Sequence, residues 1–516
     1  MTSSRTKSKP AERLEHNNYV TRRQALIGAL APLAAAQSGP GPRQVERWGI
    51  FETQLSGPAS GTPYIDVSFA ADFQFQHRTI AATGFYDGDG VYRVRFMPDA
   101  EGEWTYATRS NRPELNGKTG RFTCVAPSTG NHGPVTVRAT WHFGYADGTP
   151  YLPFGTTCYA WTHQGDTLEE QTVATLKQSP FNKIRMCVFP KSYAFNRNDP
   201  PAYAFARSAA ASNDYTQINP VFFQRLEKRV AQLMQAGIQA DLILFHPYDR
   251  WSYSNMGAEN DDRYLRYVVA RLSAYRNVWW SMANEWDFVK TKTLPDWDRF
   301  FRIVQESDPY GRLRSIHNGA VLYDHAKSWV THASIQGDEF DKVPGWLDAY
   351  RKPVVFDECK YEGNIQQRWG NLSAQEMTRR FWIGTMAGAY VGHGETYLND
   401  EEILWWSKGG VLHGESAPRI AFLRKLVEAN APGGLTPVPK PYYPAAMKAN
   451  EYYLHYFDYH QPAINQFELP DGIQFRADII DPWGMTVTPV EGTHQGKVQL
   501  KLPGKPYMAV QFRKVV

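Results

Sequence analysis

Val278-Trp279-Trp280-Ser281-Met282-Ala283-Asn284-Glu285-Trp286-Asp287 opens as an apolar run and closes on an amide and two carboxylates. A run of that length, ended abruptly by polar groups, marks a buried strand at the point where it leaves a core. The same pattern recurs in Tyr151 to Thr157, Phe181 to Phe189, Ile238 to Phe245, Arg312 to Ile316, Val330 to Ile335 and Pro353 to Phe356. Amphipathic stretches such as Phe222 to Ala236 and Asp262 to Tyr275 lie between them. Strand-then-helix units imply a parallel sheet. About eight units over roughly 280 residues predict an α/β chain built on a closed (β/α)8 TIM barrel rather than an open doubly wound sheet. No Gly-x-Gly-x-x-Gly turn and no Walker loop appears, which argues against nucleotide binding.

Outside the barrel, assigned to residues 133–430, the periodicity changes to two. Runs such as Val45 to Glu52, Tyr92 to Phe96 and Trp104 to Tyr106 alternate between Gly, Pro and Asp breaks, so residues 43–127 read as an N-terminal β-sandwich. Residues 441–516 read as a small C-terminal β-sandwich, reached from a helix over Pro418 to Glu428 through Ala431-Pro432-Gly433-Gly434. Phe85-Tyr86-Asp87-Gly88-Asp89-Gly90 reads as a solvated turn, since two Asp without further spaced ligands fall short of a calcium loop.

The 516 residues carry 56 Lys and Arg against 52 Asp and Glu, a net charge of +4. Residues 1–36 hold six basic residues and two acidic ones, which accounts for all of it and leaves the remainder neutral. That segment, with Thr21-Arg22-Arg23-Gln24-Ala25-Leu26 and an apolar run to Ala34-Ala35-Ala36, reads as a twin-arginine-type signal for export to the periplasm or medium. No apolar run is long enough to span a bilayer, and a neutral remainder lacks the basic footprint of a nucleic-acid binder. Four Cys without C-x-x-C spacing exclude a disulfide scaffold. His142, His163, His332 and His393 lack metal-ligand spacing, so neither metal nor cofactor is expected. The 16 Trp, 29 Tyr and 27 Phe suit stacking on sugar rings, although packing in sheets accounts for many of them.

Two strand ends carry the chemistry. Asn284-Glu285 closes one, and Lys352-Pro353-Val354-Val355-Phe356-Asp357-Glu358-Cys359 closes another. Reactive groups of a TIM barrel stand at the C-terminal ends of its strands, so two Glu there can face each other across the mouth. Acetal hydrolysis needs such a pair, one to protonate the leaving oxygen and one on the opposite face.

With those motifs the sequence resembles the retaining glycoside hydrolases of clan A, in which Asn-Glu ends strand four and Glu ends strand seven; its barrel is similar to the apiosidase-like branch. The resemblance implies that Glu285 is the general acid/base, Glu358 the nucleophile and Asn284 a donor to the substrate 2-hydroxyl. It implies that Arg185, in Asn182-Lys183-Ile184-Arg185-Met186, supports the nucleophile and holds its pKa down, and that His246 is the strand-three His of many members. In a retaining enzyme the carboxyls stand about 5 to 5.5 Å apart. Two departures are evident: Thr331-His332-Ala333-Ser334-Ile335-Gln336 replaces the His-x-Tyr of strand six, and the familiar strand-eight Trp gives way to Gly392-His393-Gly394-Glu395-Thr396-Tyr397 and Leu404-Trp405-Trp406-Ser407-Lys408. Trp286, His317, Glu395, Tyr397, Trp405 and Lys408 are therefore further candidates for sugar contact, with Trp405 or Trp406 as a stacking platform.

The expected activity is retaining hydrolysis of plant or microbial poly- or oligosaccharide glycosides. Exo action is favoured because the insertion from Lys191 to Pro220 can wall off one end of the cleft. An endo-acting hydrolase and a catalytically weak carbohydrate-binding protein are the alternatives.

Overall fold

A computed structural model describes residues 43–210 and 212–515. The segment 1–36, read as an export signal, lies outside the described residues. Eight parallel strands form the central sheet: β1 (Gly155–Thr157), β2 (Lys183–Cys187), β3 (Gln239–Phe245), β4 (Val278–Ala283), β5 (Arg314–Ser315), β6 (Ala333–Gln336), β7 (Val354–Glu358) and β8 (Tyr390–His393). They pair in the order β5-β4-β3-β2-β1-β8-β7-β6, and a parallel bridge between His317 and Ser334 joins the two ends of the sheet. This is the expected barrel.

Helices return the chain from seven of the strands: α1 (Asp166–Gln178), α2 (Pro220–Gln235), α3 (Ala258–Leu272), α4 (Leu294–Ser307), α5 (Val343–Tyr350), α6 (Ala374–Met386) and α7 (Ser416–Asn430). Local chemistry sets their starts. Asn219 caps α2 by accepting from Val221 N–H ahead of Pro220, and Thr293 with Asp296 forms a capping box on α4. Between β5 and β6 the described residues form turns instead of a helix.

The first expected strand is shorter than read. Pro153 has no N–H to give a ladder, so Tyr151 pairs in a separate three-stranded sheet with Val135–Arg138 and His142–Tyr145, and β1 begins at Gly155. That small sheet plugs the N-terminal end of the barrel, with Phe143 at 5.2 Å from Trp279 and at 5.7 Å from His332, ring to ring. One layer above it the barrel interior is ionic. Lys183 Nζ lies 2.7 Å from Asp241 and 2.6 Å from Asp357, which also accepts from Ser334. The next layer up is the mouth.

The N-terminal domain packs a sheet containing Thr119–Val125, Gly102–Ser110, Phe69–Phe75 and Arg78–Thr83, in that order, against Phe51–Ser56, Val91–Phe96 and Phe85–Tyr86. Phe51 stacks on Phe122 at 4.2 Å and Phe73 on Phe96 at 4.1 Å between the layers. The turn at Asp87 is not the solvated one expected. Asp87 is 9 % exposed, and it pairs with Arg93 at 2.6 Å and with Arg271 of α3 at 2.8 Å, so it joins the sandwich to the barrel.

The C-terminal domain is a six-stranded antiparallel sheet beside the pair Ile464–Glu468 and Lys497–Lys501. Its first strand, Thr436–Pro437, lies just after Ala431-Pro432-Gly433-Gly434 and ahead of residue 441, where the domain was expected to begin. Tyr456 stacks on Trp382 of α6 at 5.3 Å and Asp458 takes a bidentate bond from Arg379, which seats the domain on the barrel.

Candidate active site

Glu285 follows β4 and Glu358 ends β7, 7 % and 9 % exposed. Two local devices aim them. Glu285 has φ 48° and ψ 56°, a left-handed conformation that costs a non-glycine residue about 1 to 3 kcal/mol. It is held there because Asn284 N–H donates to Phe245 O and Trp286 N–H to His317 O, each at 3.0 Å. At β7 a register shift after Ile335 sets Gln336 opposite Glu358.

Hydrogen bonds and one longer ion pair link the two carboxyls. Arg185 Nη1 donates to Asn284 Oδ1 at 2.7 Å and to Tyr159 Oη at 3.0 Å, while standing 3.6 Å from Glu358 Oε1. Tyr159 O–H donates in turn to Asn284 Oδ1 at 3.0 Å, and Asn284 Nδ2 donates to Glu285 Oε2 at 3.0 Å. Glu285 also accepts from Tyr248 O–H on Oε2 and from Gln336 Nε2 at 3.3 Å on Oε1.

Arg185 does not hold the Glu358 carboxyl down as expected. Its Nη1 is spent on Asn284 and Tyr159, and it stands beyond hydrogen-bond reach of Glu358. Burial wins: the Glu358 carboxyl is pushed up to about 8, against a hydrogen bond from the Tyr361 hydroxyl that favours its charged form. Glu358 Oε1 and the Nε and Nη2 groups of Arg185 are buried without a partner.

The remaining candidates separate by the direction their side chains take. His246 is buried at the end of β3 with Nε2 3.2 Å from Phe189 O, and burial lowers its pKa to about 3, so it is neutral. His317 is fully buried with neither ring nitrogen partnered. Burial, followed by the charge of Arg185, holds it neutral over the ionic layer of the barrel. Trp286 is half-buried, its ring edge-on to Tyr323 at 5.9 Å.

Glu395, expected to meet sugar hydroxyls, is 1 % exposed; its two oxygens accept from the N–H groups of His413 and Gly414, so it anchors the loop that leads into α7. Tyr397 O–H is taken up at 2.8 Å by Glu362, which also accepts from Glu415 N–H and from Ser416. Glu362, His393 and Glu395 bring ligand-type atoms within 4.8 Å of one another, but protein donors already occupy all four carboxylate oxygens.

Trp405 is fully buried with its indole N–H on Thr156 Oγ1, so it packs the barrel and cannot be the stacking platform. Trp406 faces the mouth instead. It packs with Tyr159, Tyr361 and Trp369 and lies 6.1 Å from Tyr193, on the segment after β2. Lys408 is half-buried and hydrogen-bonds through its backbone to Leu404, with no carboxylate partner among the described residues.

Tyr159, Lys191, Tyr248, Gln336 and Tyr361 complete the mouth and were not singled out from sequence. The rule that reactive groups follow strand ends, applied to all eight strands, points to Tyr248 just after β3 and to Gln336 at the end of β6.

Residues 138–430 match the family described as the apiosidase-like catalytic domain. Residues 44–111 and 442–513 match two domain families of unknown function, DUF5060 and DUF5605. No curated protein matches the chain. A Bacteroides vulgatus protein described as a candidate glycoside hydrolase is 39% identical, covering 92% of this chain and 100% of its own, with a TM-score of 0.87. A glycoside hydrolase family 5 protein from the same organism shares the fold at 15% identity and a TM-score of 0.57, covering 74% of this chain and 93% of its own.

Proposed function

The chain belongs to the apiosidase-like family of glycosidases, and from that premise we propose that it is a retaining, exo-acting hydrolase of plant or microbial poly- or oligosaccharide glycosides. Glu358 attacks the anomeric carbon as Glu285 gives its proton to the departing glycosidic oxygen, forming the Glu358–C1 bond as the C1–O bond breaks. Glu285 then takes a proton from water, which attacks C1 and releases Glu358. Asn284, aligned by Arg185 and Tyr159, donates to the sugar beside the reacting centre.

The observation that carries this reading is the path Glu358–Arg185–Asn284–Glu285, which ties two strand-end carboxyls into one constellation. Exo action is favoured by the segment after β2. Tyr193 lies 4.5 Å from Tyr248, 6.4 Å from Trp369 and 6.1 Å from Trp406, which builds a wall along one side of the mouth.

The test is hydrolysis of 4-nitrophenyl glycosides and plant oligosaccharides, with proton NMR of the first anomer released. Retained configuration and terminal release are expected; an inverted first product ends the double-displacement assignment. Glu285→Ala and Glu358→Ala should each abolish turnover, and a 2-fluoro glycoside should leave its adduct on the peptide containing Glu358. We further propose that residues 1–36 are removed on export, which amino-terminal sequencing of the secreted protein checks.

A further inference from the structure

Lys191 takes no part in the reaction set out above, yet it is buried beside it, 4 % exposed. It opens the segment that leaves β2. Its Nζ lies over the ring faces of Tyr159, Tyr248 and Trp406, at 3.7, 4.4 and 4.8 Å. Two of those rings are wired to the reacting groups, Tyr248 through Glu285 and Tyr159 through Asn284. No side-chain hydrogen bond or ion pair joins the ammonium to another described residue.

An ammonium has three N–H donors and is strongly hydrated. Aromatic faces attract the charge but accept no ordinary hydrogen bond, so the cage displaces much of the ammonium's hydration without replacing its hydrogen bonds. Burial duly pushes the Lys191 pKa down to about 8, with the charge of Glu285 acting in the opposite sense. A methionine would fill the same space at no electrostatic cost. A buried cation kept where an apolar chain would serve packing better is a set of donors held for something that arrives from outside.

We propose that Lys191 is a substrate-binding residue, its ammonium donating to hydroxyl oxygens of the sugar held between Glu285 and Glu358, and that this sugar carries no charge. The inference rests on the glycosidase mechanism above. The second half follows from the distribution of charge. Beneath the mouth, Lys183 and Arg185 balance Asp241 and Asp357. That leaves Lys191 beside Glu285, and of the two carboxyls Glu285 and Glu358 one must hold a proton for the chemistry to start. One cation then meets one carboxylate. A uronic acid would bring a second anion to a site whose caged ammonium already faces Glu285, whereas neutral hydroxyls offer the lone pairs that its three N–H groups lack.

The experiment uses the full chain with Lys191→Met and Lys191→Arg, assayed on paired neutral and uronic 4-nitrophenyl glycosides and by thermal unfolding. The wild type should hydrolyse a neutral glycoside and leave its uronide untouched. Lys191→Met should lose about 100-fold or more in kcat/KM while its Tm stays level or rises, because an unpartnered buried charge has gone. Lys191→Arg, which keeps donors in altered geometry, should recover part of the loss. A Met variant within threefold of wild type, a Met variant whose Tm falls with its activity, or a preference for uronides each overturns the proposal. If Glu285→Ala and Glu358→Ala are inactive while Lys191→Met is unimpaired, this proposal alone fails; if the wild type cleaves nothing, the mechanism beneath it fails as well.

Discussion

Arg271 and Arg185 are equally buried, each 1 % exposed, and the fold treats them in opposite ways. At the junction of sandwich and barrel, Arg271 gives Nε to Glu227 at 2.7 Å, Nη1 to Tyr267 at 3.1 Å and Nη2 to Asp87 at 2.8 Å. Arg95 beside it is likewise complete, bound to Glu52, to Glu227 and to the Arg271 carbonyl. At the mouth, Arg185 uses Nη1 alone, Glu358 Oε1 lacks a hydrogen-bond partner, and the Lys191 ammonium meets aromatic faces. Polar groups buried without partners cost about 1 to 3 kcal/mol each, and more when charged. The junction is a network that the fold finishes for itself; the mouth is one that only a ligand can finish.

The most forceful way to break that contrast is Glu358→Gln. Loss of the proposed nucleophile should lower kcat/KM on an aryl glycoside by on the order of 10^3-fold or more, with no loss of stability in urea, because an incomplete site has little to lose. The sign with pH follows. A carboxyl near 4 in the unfolded chain and pushed up to about 8 in the fold binds an extra proton in the native state across that interval. It therefore contributes stability at low pH that is lost as pH rises toward 8. Glu358→Gln should remove that slope, and a slope identical to wild type would show the carboxyl to be satisfied after all.

Arg271→Met attacks the other side of the contrast. It takes from Asp87 and from Glu227 one of the two arginine partners each has in a buried junction, so unfolding free energy should fall by about 3 to 5 kcal/mol. The value of kcat/KM should stay within a few-fold, since the junction does not touch the mouth. A cost under about 1 kcal/mol would mean that water completes the junction as easily as protein does, and the distinction between the two regions would collapse.

The barrel and its carboxyl pair were legible in the sequence because strand ends are marked twice, by an apolar run and by its abrupt close. That signal gives position but not direction. His317 stands at a strand end as expected, yet its ring turns over the ionic layer rather than out to solvent. Trp405 and Trp406 open a single helical turn, Trp405–Lys408, in which adjacent residues point about 100° apart, so nothing in the pair says which faces the mouth. Lys183 and Asp241 sat unremarked inside runs read as apolar and Asp357 just past one, because the charge balance of these three with Arg185 is collective and exists only once three strands are side by side. Asp87 looked like a turn residue until α3 brought Arg271 to it. Lys191 was visible only as the first residue of an insertion, because a cage made of Tyr159, Tyr248 and Trp406 has no sequence spacing.

Tyr248→Phe is the mildest probe and the one that locates the incompleteness most narrowly. The substitution keeps the ring under Lys191 and removes only the hydroxyl that donates to Glu285. If the mouth is arranged around a proton that Glu285 must give and take back, losing this donor should cost kcat about 10- to 100-fold and leave KM nearly unchanged. Tyr159→Phe, whose hydroxyl reaches the reacting groups only at second hand, through Asn284, Arg185 and Tyr361, should cost less, because Arg185 continues to hold the Asn284 amide. Equal losses would place the sensitive element in the Arg185–Asn284 path rather than at Glu285. A larger loss for Tyr248 would mean that donors finish the acid/base while the nucleophile beside it waits for the substrate.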